Sequence, residues 1–201
     1  GNVYGGSEYA VVNGKTSIAI TNGTVVGSVY GGSLGEAGER FVLGGATVNM
    51  SGGWIQGNLY GGSENSDDGP AKTTPVESPK DLVFVNLTGG IVKGNVFGGG
   101  YLGEVNGSTH LHIGVQAPDK CSYYKAKPDE KPKLEASPLH VEGSVYAGGD
   151  YGGEGAYDKI TITGTSHVYV DGNGYDTADN DSTTPTMDIL GGVFGSGASC
   201  D

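Results

Sequence analysis

The sequence predicts an all-β fold: a parallel β-solenoid, wound as a right-handed β-helix of five to six coils with long loop insertions. Three observations carry this expectation. A seven-residue phrase returns six times, as "GNVYGGS" (1–7), "GSVYGGS" (27–33), "GNLYGGS" (57–63), "GNVFGGG" (94–100), "GSVYAGG" (143–149) and "GGVFGSG" (191–197). The segments leading into three of the copies align without a gap, as "TSIAITNGTVVGSVYGGS" (16–33), "ATVNMSGGWIQGNLYGGS" (46–63) and "VFVNLTGGIVKGNVFGGG" (83–100). Apolar residues alternate within each unit and hold the same columns from unit to unit.

Each unit reads as a short strand, a two-residue turn, a second strand and the glycine-rich phrase. In the first strand the period of two turns Ile18 and Ile20, Val48 and Met50, and Val85 and Leu87 inward, with Ala19, Asn49 and Asn86 facing out. "HLHI" continues the rule, with Leu111 and Ile113 inward and His110 and His112 outward. In "KITIT" Ile160 and Ile162 point in, and "HVYV", with Val168 and Val170 inward, reads as an extra strand. The second strand supplies the column Val25, Ile55, Val92, Val141 and Ile189, and four residues later Val29, Leu59, Val96, Val145 and Val193.

One such unit is too small to bury its apolar face, whereas stacked copies, each pairing with the next at about 4.8 Å, can. A sandwich of hairpins does not explain columns that stay in register across insertions. A propeller blade needs about 40 residues, more than the 26 separating the first two phrases.

The whole chain, 1–201, reads as one domain and as a piece of a longer repetitive protein. Its insertions, 64–81, 115–138 and 173–187, are rich in proline, serine and charge and read as surface loops, where binding residues often sit. Formal net charge is −12 and Arg40 is the sole arginine. That balance argues against nucleic acid and against anionic membrane surfaces as partners. No apolar run approaches the roughly 18 residues of a membrane span.

The phrase contributes two further columns. Asn2, Ser28, Asn58, Asn95 and Ser144 suit a polar ladder that satisfies backbone groups at a corner. Tyr4, Tyr30, Tyr60, Phe97, Tyr146 and Phe194 form an aromatic column with two readings. Facing out, it is a ligand-binding ladder on which sugar rings could stack. Turned inward or covered by loops, it is structural.

The remaining chemistry is sparse. His110 and His112 have a spacing able to hold a metal, but nothing of obvious spacing completes the set, and solvent-facing histidines are the competing reading. Asp171, Asn173, Asp176, Asp179 and Asp181 gather hard oxygen ligands suited to calcium, the one candidate cofactor, in an order that departs from the EF-hand. The competing reading is a solvated acidic loop. Cys121 and Cys200 form either one disulfide or two thiols. Lys120, Lys125, Lys127, Lys131 and Lys133 crowd one insertion, either as a soluble loop or as a docking loop for an acidic partner or glycan. No pair of carboxylates at a working separation and no phosphate-binding glycine loop can be read from the chain.

The recurring G-[N/S]-V-[Y/F]-G-G resembles the repeats of large adhesin-like β-helix surface proteins of Bacteroidota. The resemblance implies an extracellular or outer-surface location. It also implies Thr177 and Ser182, in "DTA" and "DST", as candidate O-glycosylation acceptors. The function expected is a non-catalytic adhesin-like or structural module presenting loops to a glycan or to a host or bacterial surface protein. The alternative is a polysaccharide-active β-helix enzyme, a lyase or glycoside hydrolase.

Overall fold

A computed structural model describes residues 1–36, 39–70, 80–114, 139–150, 161–171 and 187–198. They form sixteen strands, and no helix occurs among them. The strands are β1 (Val3–Tyr4), β2 (Thr16–Ile20), β3 (Thr24–Val25), β4 (Val29–Tyr30), β5 (Arg40–Val42), β6 (Ala46–Ile55), β7 (Leu59–Tyr60) and β8 (Asp67–Asp68). They continue as β9 (Asp81–Val92), β10 (Val96–Phe97), β11 (Ser108–Gly114), β12 (Leu139–Val141), β13 (Val145–Tyr146), β14 (Ser166–Asp171), β15 (Met187–Ile189) and β16 (Val193–Phe194).

They assemble into three open sheets in which neighbouring strands run parallel. The phrase strands give a six-stranded sheet in the order β1-β4-β7-β10-β13-β16. An eight-stranded sheet contains β2, β3, β6, β9, β11, β12, β14 and β15. The third sheet pairs β5 with β8, and single bridges Val12–Val42, Asp68–Val105 and Val105–Ile162 flank it.

This arrangement corrects the expected parallel β-solenoid and its five to six right-handed β-helical coils: the strands lie in three separate open sheets. The physical reason lies in the expected two-residue turn. In two of the aligned units that turn does not break the chain into two strands. It runs on as the single strands β6, ten residues, and β9, twelve residues. The would-be turn glycines Gly53 and Gly90, with φ of 87° and 100°, sit inside these strands, and pairing shifts register beside Ser51, as at β-bulges. Strand β9 then divides its edge, pairing β11 along its first part and β12 along its last three residues.

A second correction concerns the stretch 160–171. "HVYV" is not an extra strand. It lies in β14, which pairs with β11 in the register Leu111–Val168 and Ile113–Val170. Ile162 instead joins Val105, Leu82 and Val83 in a small cluster beside the third sheet. Insertion 64–81 is likewise not all loop, since it contains β8 and ends on the first residue of β9.

The main core lies between the two large sheets. Val29, Leu59, Val96 and Val145 from the phrases face Ile18, Val48, Met50, Val85, Leu87 and Leu111, and all are buried. Fully burying one such side chain stabilises by roughly 1.5–3 kcal/mol.

At the edge of the six-stranded sheet the polar column forms a chain of side-chain-to-backbone hydrogen bonds. Ser28 N donates to Asn2 Oδ1 at 2.9 Å, and Asn58 N to Ser28 Oγ at 3.0 Å. Asn95 N donates to Asn58 Oδ1 at 2.8 Å, Ser144 N to Asn95 Oδ1 at 2.8 Å, and Gly192 N to Ser144 Oγ at 3.1 Å. From Ser28 onward the glycine before each rung, Gly27, Gly57, Gly94, Gly143 and Gly191, has no room for a side chain. A Cβ on Gly94 would come within 2.6 Å of Gly57 O, and nearer still to Asn58 Oδ1.

Two substitutions measure this ladder. Asn58→Ala leaves the Asn95 amide without its acceptor and is expected to cost about 1–3 kcal/mol. Gly94→Ala forces two rungs apart and is expected to cost about 1–3 kcal/mol. Urea denaturation midpoints check both, and a midpoint unchanged in either variant contradicts the ladder's role.

Candidate functional site

The aromatic column lies on the face of the six-stranded sheet opposite the valine column. Its rings stack one on the next at centroid separations of 5.1, 4.8, 4.8, 5.0 and 4.9 Å from Tyr4 through to Phe194, with interplanar angles of 3–10°. This geometry decides between the two readings for the central rings. A sugar stacks on an open ring face, but here each face is covered by the next rung. Tyr30, Tyr60 and Phe97 are also only 6, 1 and 0 % exposed. The expectation of an exposed ligand-binding ladder is therefore corrected for these three, which form a satellite core with Tyr101 and Ala198 packed against it. Tyr4 and Tyr146 are half-buried, and Phe194 is 45 % exposed.

The phenols of Tyr4 and Tyr60 are bonded to segments that leave the sheet after a phrase. Tyr60 Oη donates to Asp150 Oδ2 at 3.0 Å and accepts from Asn58 Nδ2 at 2.9 Å. Tyr4 Oη donates to Glu64 and accepts from Asn2 Nδ2 at 3.1 Å. Tyr101 meets the Tyr60 ring edge-on at 5.7 Å. Burial pushes the Tyr30 and Tyr60 phenols well above the usual tyrosine range, and the nearby Glu64 and Asp150 carboxylates push the same way. Tyr4 is raised as well, first by burial and then by its bond to Glu64. The signal for Glu64 and Asp150 was present in the sequence as acids just after a phrase, but their reach back to the rings was not readable.

Beside the rings runs a second polar column. Ser7 N donates to Ser33 Oγ at 3.2 Å, and Ser33 N to Ser63 Oγ at 2.9 Å. The next phrase has Gly100 where a serine would continue the series. There Asp68, fully buried, supplies the acceptor: Ser63 N and Ser63 Oγ donate to its two carboxylate oxygens, both at 2.7 Å.

The outward face of the eight-stranded sheet holds the other chemistry. Parallel register places Phe84, His110 and His167 in one row and Asn86, His112 and Tyr169 in the next. Phe84 stacks on His110 at 5.1 Å and His110 on His167 at 4.7 Å. His110 Nε2 lies 2.7 Å from Asp81 Oδ1. His140 faces outward further along, in register with Ile91, and Lys93 Nζ sits 5.1 Å from the centre of the Trp54 ring.

His167, which the sequence places on another unit of the repeat from His110 and His112, is brought beside His110 by strand pairing. The pair does not chelate, because stacked rings 4.7 Å apart keep their nitrogens from converging on a metal at about 2.0–2.1 Å. Among the described residues no three of His, Cys, Asp and Glu are grouped to hold a metal ion. Of the calcium candidates, Asp171 ends β14, while Asn173, Asp176, Asp179 and Asp181 lie outside the described residues. So do Thr177, Ser182, Cys121, Cys200 and the five clustered lysines.

The raised phenols predict an alkaline instability. Unfolded tyrosine ionises near pH 10, while folded Tyr30 and Tyr60 keep their protons beyond it. Their contribution is therefore fully present below about pH 10 and is lost as pH rises through the folded values. Tyr60→Phe, a ring type already present in the column at Phe97, is expected to flatten that decline. It also loses two hydrogen bonds, at a cost of about 1–3 kcal/mol at neutral pH. Denaturant midpoints followed from neutral pH to beyond the tyrosine range test this, and an equally steep decline in the variant contradicts it.

No protein-family model, no curated protein and no solved structure matches the chain.

Proposed function

We propose that the chain is a non-catalytic module that presents surface segments for binding a glycan or a protein at the outer cell surface or outside the cell. One observation carries the reading. The segments that follow the phrases leave the six-stranded sheet side by side, each bonded through its backbone to the one before. Leu34 N donates to Ser7 O, Glu64 N to Ser33 O, Tyr101 N to Ser63 O, Asp150 N to Gly100 O and Ala198 N to Gly149 O, at 2.9–3.1 Å. A rigid framework that releases a row of variable segments from one edge suits recognition by those segments.

The acids near this edge support the same reading by their bonds. Glu64 and Asp150 each accept from a tyrosine, and Asp68 from Ser63. These carboxylates are engaged in holding the framework together. The outer location rests on the resemblance of the repeated phrase.

A glycan array combined with an assay for released reducing ends tests the proposal. Binding without release is expected, and it is expected to fall when 71–79 and 116–138 are replaced by short glycine-serine links. Depolymerisation of any bound polysaccharide overturns the reading, as does binding that survives both replacements unchanged.

A further inference from the structure

The chain holds four Asn-Gly pairs, at 13–14, 22–23, 106–107 and 173–174, the last outside the described residues. In such a pair the glycine nitrogen can attack the asparagine side chain, because glycine puts no Cβ in the way. How readily it does so depends on how the fold holds the two groups. The three described pairs are held differently.

Asn22–Gly23 joins β2 to β3, at the place taken by Gly52–Gly53 in β6 and Gly89–Gly90 in β9. Both residues are exposed, Gly23 has a φ of 89°, and the position a Cβ would take there is open space. Gly23 N donates to Asn22 Oδ1 at 2.8 Å. The side chain is thus already folded back on this amide, with its Cγ one bond beyond the oxygen that the nitrogen touches. Asn106–Gly107 is the opposite case. Asn106 Nδ2 donates to Pro70 O, Asn106 Oδ1 accepts from Thr163 Oγ1 at 2.9 Å, and Gly107 is buried. Asn13–Gly14 is exposed, but the bond that folds Asn22 back has no counterpart there.

We propose that Asn22–Gly23 is a self-modification site that converts to aspartate and isoaspartate, with water as the only co-reactant. Gly23 N gives its proton to solvent and bonds to Asn22 Cγ, closing a succinimide ring. The side-chain nitrogen takes up a proton and leaves as ammonia. Water then opens the ring. Attack at Cγ yields aspartate, and attack at the main-chain carbonyl carbon of residue 22 leaves the chain joined through Cγ as isoaspartate. Either product adds a carboxylate, and isoaspartate also adds one carbon to the backbone. That carbon falls where the turn rests on β6: Trp54 N donates to Gly23 O and Gln56 N to Val25 O, both at 2.9 Å. Strand β3 pairs with β6 through only Thr24 and Val25, so it is the part that gives way.

Incubation of the folded chain at mildly alkaline pH, followed by trypsin and mass spectrometry, tests the site. Cleavage after Lys15 and Arg40 puts Asn13 and Asn22 in separate peptides, and Asn22 is the sole asparagine of 16–40. Peptide 16–40 is expected to gain the mass of an amino group exchanged for hydroxyl and to split into aspartyl and isoaspartyl forms. It is expected to do so at least about tenfold faster than Asn106, whose carboxamide must first break two hydrogen bonds. Asn13 follows Asn22, and in the urea-unfolded chain the three rates draw together. Asn22→Gln leaves 16–40 without the mass gain. In the isoaspartyl chain, isolated by chromatography, the Trp54 and Gln56 amides are expected to exchange faster than in the parent, while 46–50 keep their protection. Absence of the mass gain in 16–40, earlier conversion of Asn13 or Asn106, or the same ratio of rates in the folded and unfolded chain overturns the proposal. Unchanged exchange at Trp54 and Gln56 overturns the release of β3.

Discussion

In a parallel sheet each strand lies about 4.8 Å from the next, and every column of this molecule has to accept that spacing. The aromatic column accepts it by stacking, with centroids 4.8–5.1 Å apart. The asparagine and serine column accepts it by reaching one rung forward, side-chain oxygen to backbone amide. The valine column accepts it by packing across to the facing sheet. Glycine appears where the spacing leaves nothing for a side chain, as at Gly94 between Gly57 and Asn58. The phrase is thus a sequence in which each position solves the same geometric problem differently.

Much of this was legible in the chain. The alternation of Ile18, Val48, Val85 and Leu111 is a property of neighbouring residues, and identical register follows from identical phrases. The corner ladder was legible for the same reason. The ring column was not decided, because what covers it, Tyr101 and the segments carrying Glu64 and Asp150, lies outside the phrase. The sheets themselves were misjudged at Gly53 and Gly90. A glycine with positive φ serves a turn and a bulge equally well, and only the partner strand decides between them. "KITIT" and "HVYV" alternate alike, so their places were settled by pairing, with Val105 for Ile162 and with Leu111 for Val168.

The two large sheets expose different chemistry. The outer side of the phrase sheet is closed by its own aromatic stack and by the segments over it, so its phenols and carboxylates are consumed internally. The outer side of the eight-stranded sheet carries Asn49 and Lys93 exposed, and Asn86, His110, His167 and Trp54 half-buried, in rows that cross its strands. Interactions there run from strand to strand between side chains.

Asp68 gives the insertions a different standing from one another. The serine column breaks where Gly100 replaces a hydroxyl, and the gap is closed by a carboxylate arriving from the preceding insertion. That insertion is therefore part of the framework: where the phrase 94–100 ends in Gly100, the acceptor comes from Asp68, five residues after Ser63 of the phrase before it. Recombining units of this kind would keep the fold only where the phrase and its preceding insertion travel together. At this junction the structural unit is offset from the visible repeat, reaching into the insertion that precedes the phrase.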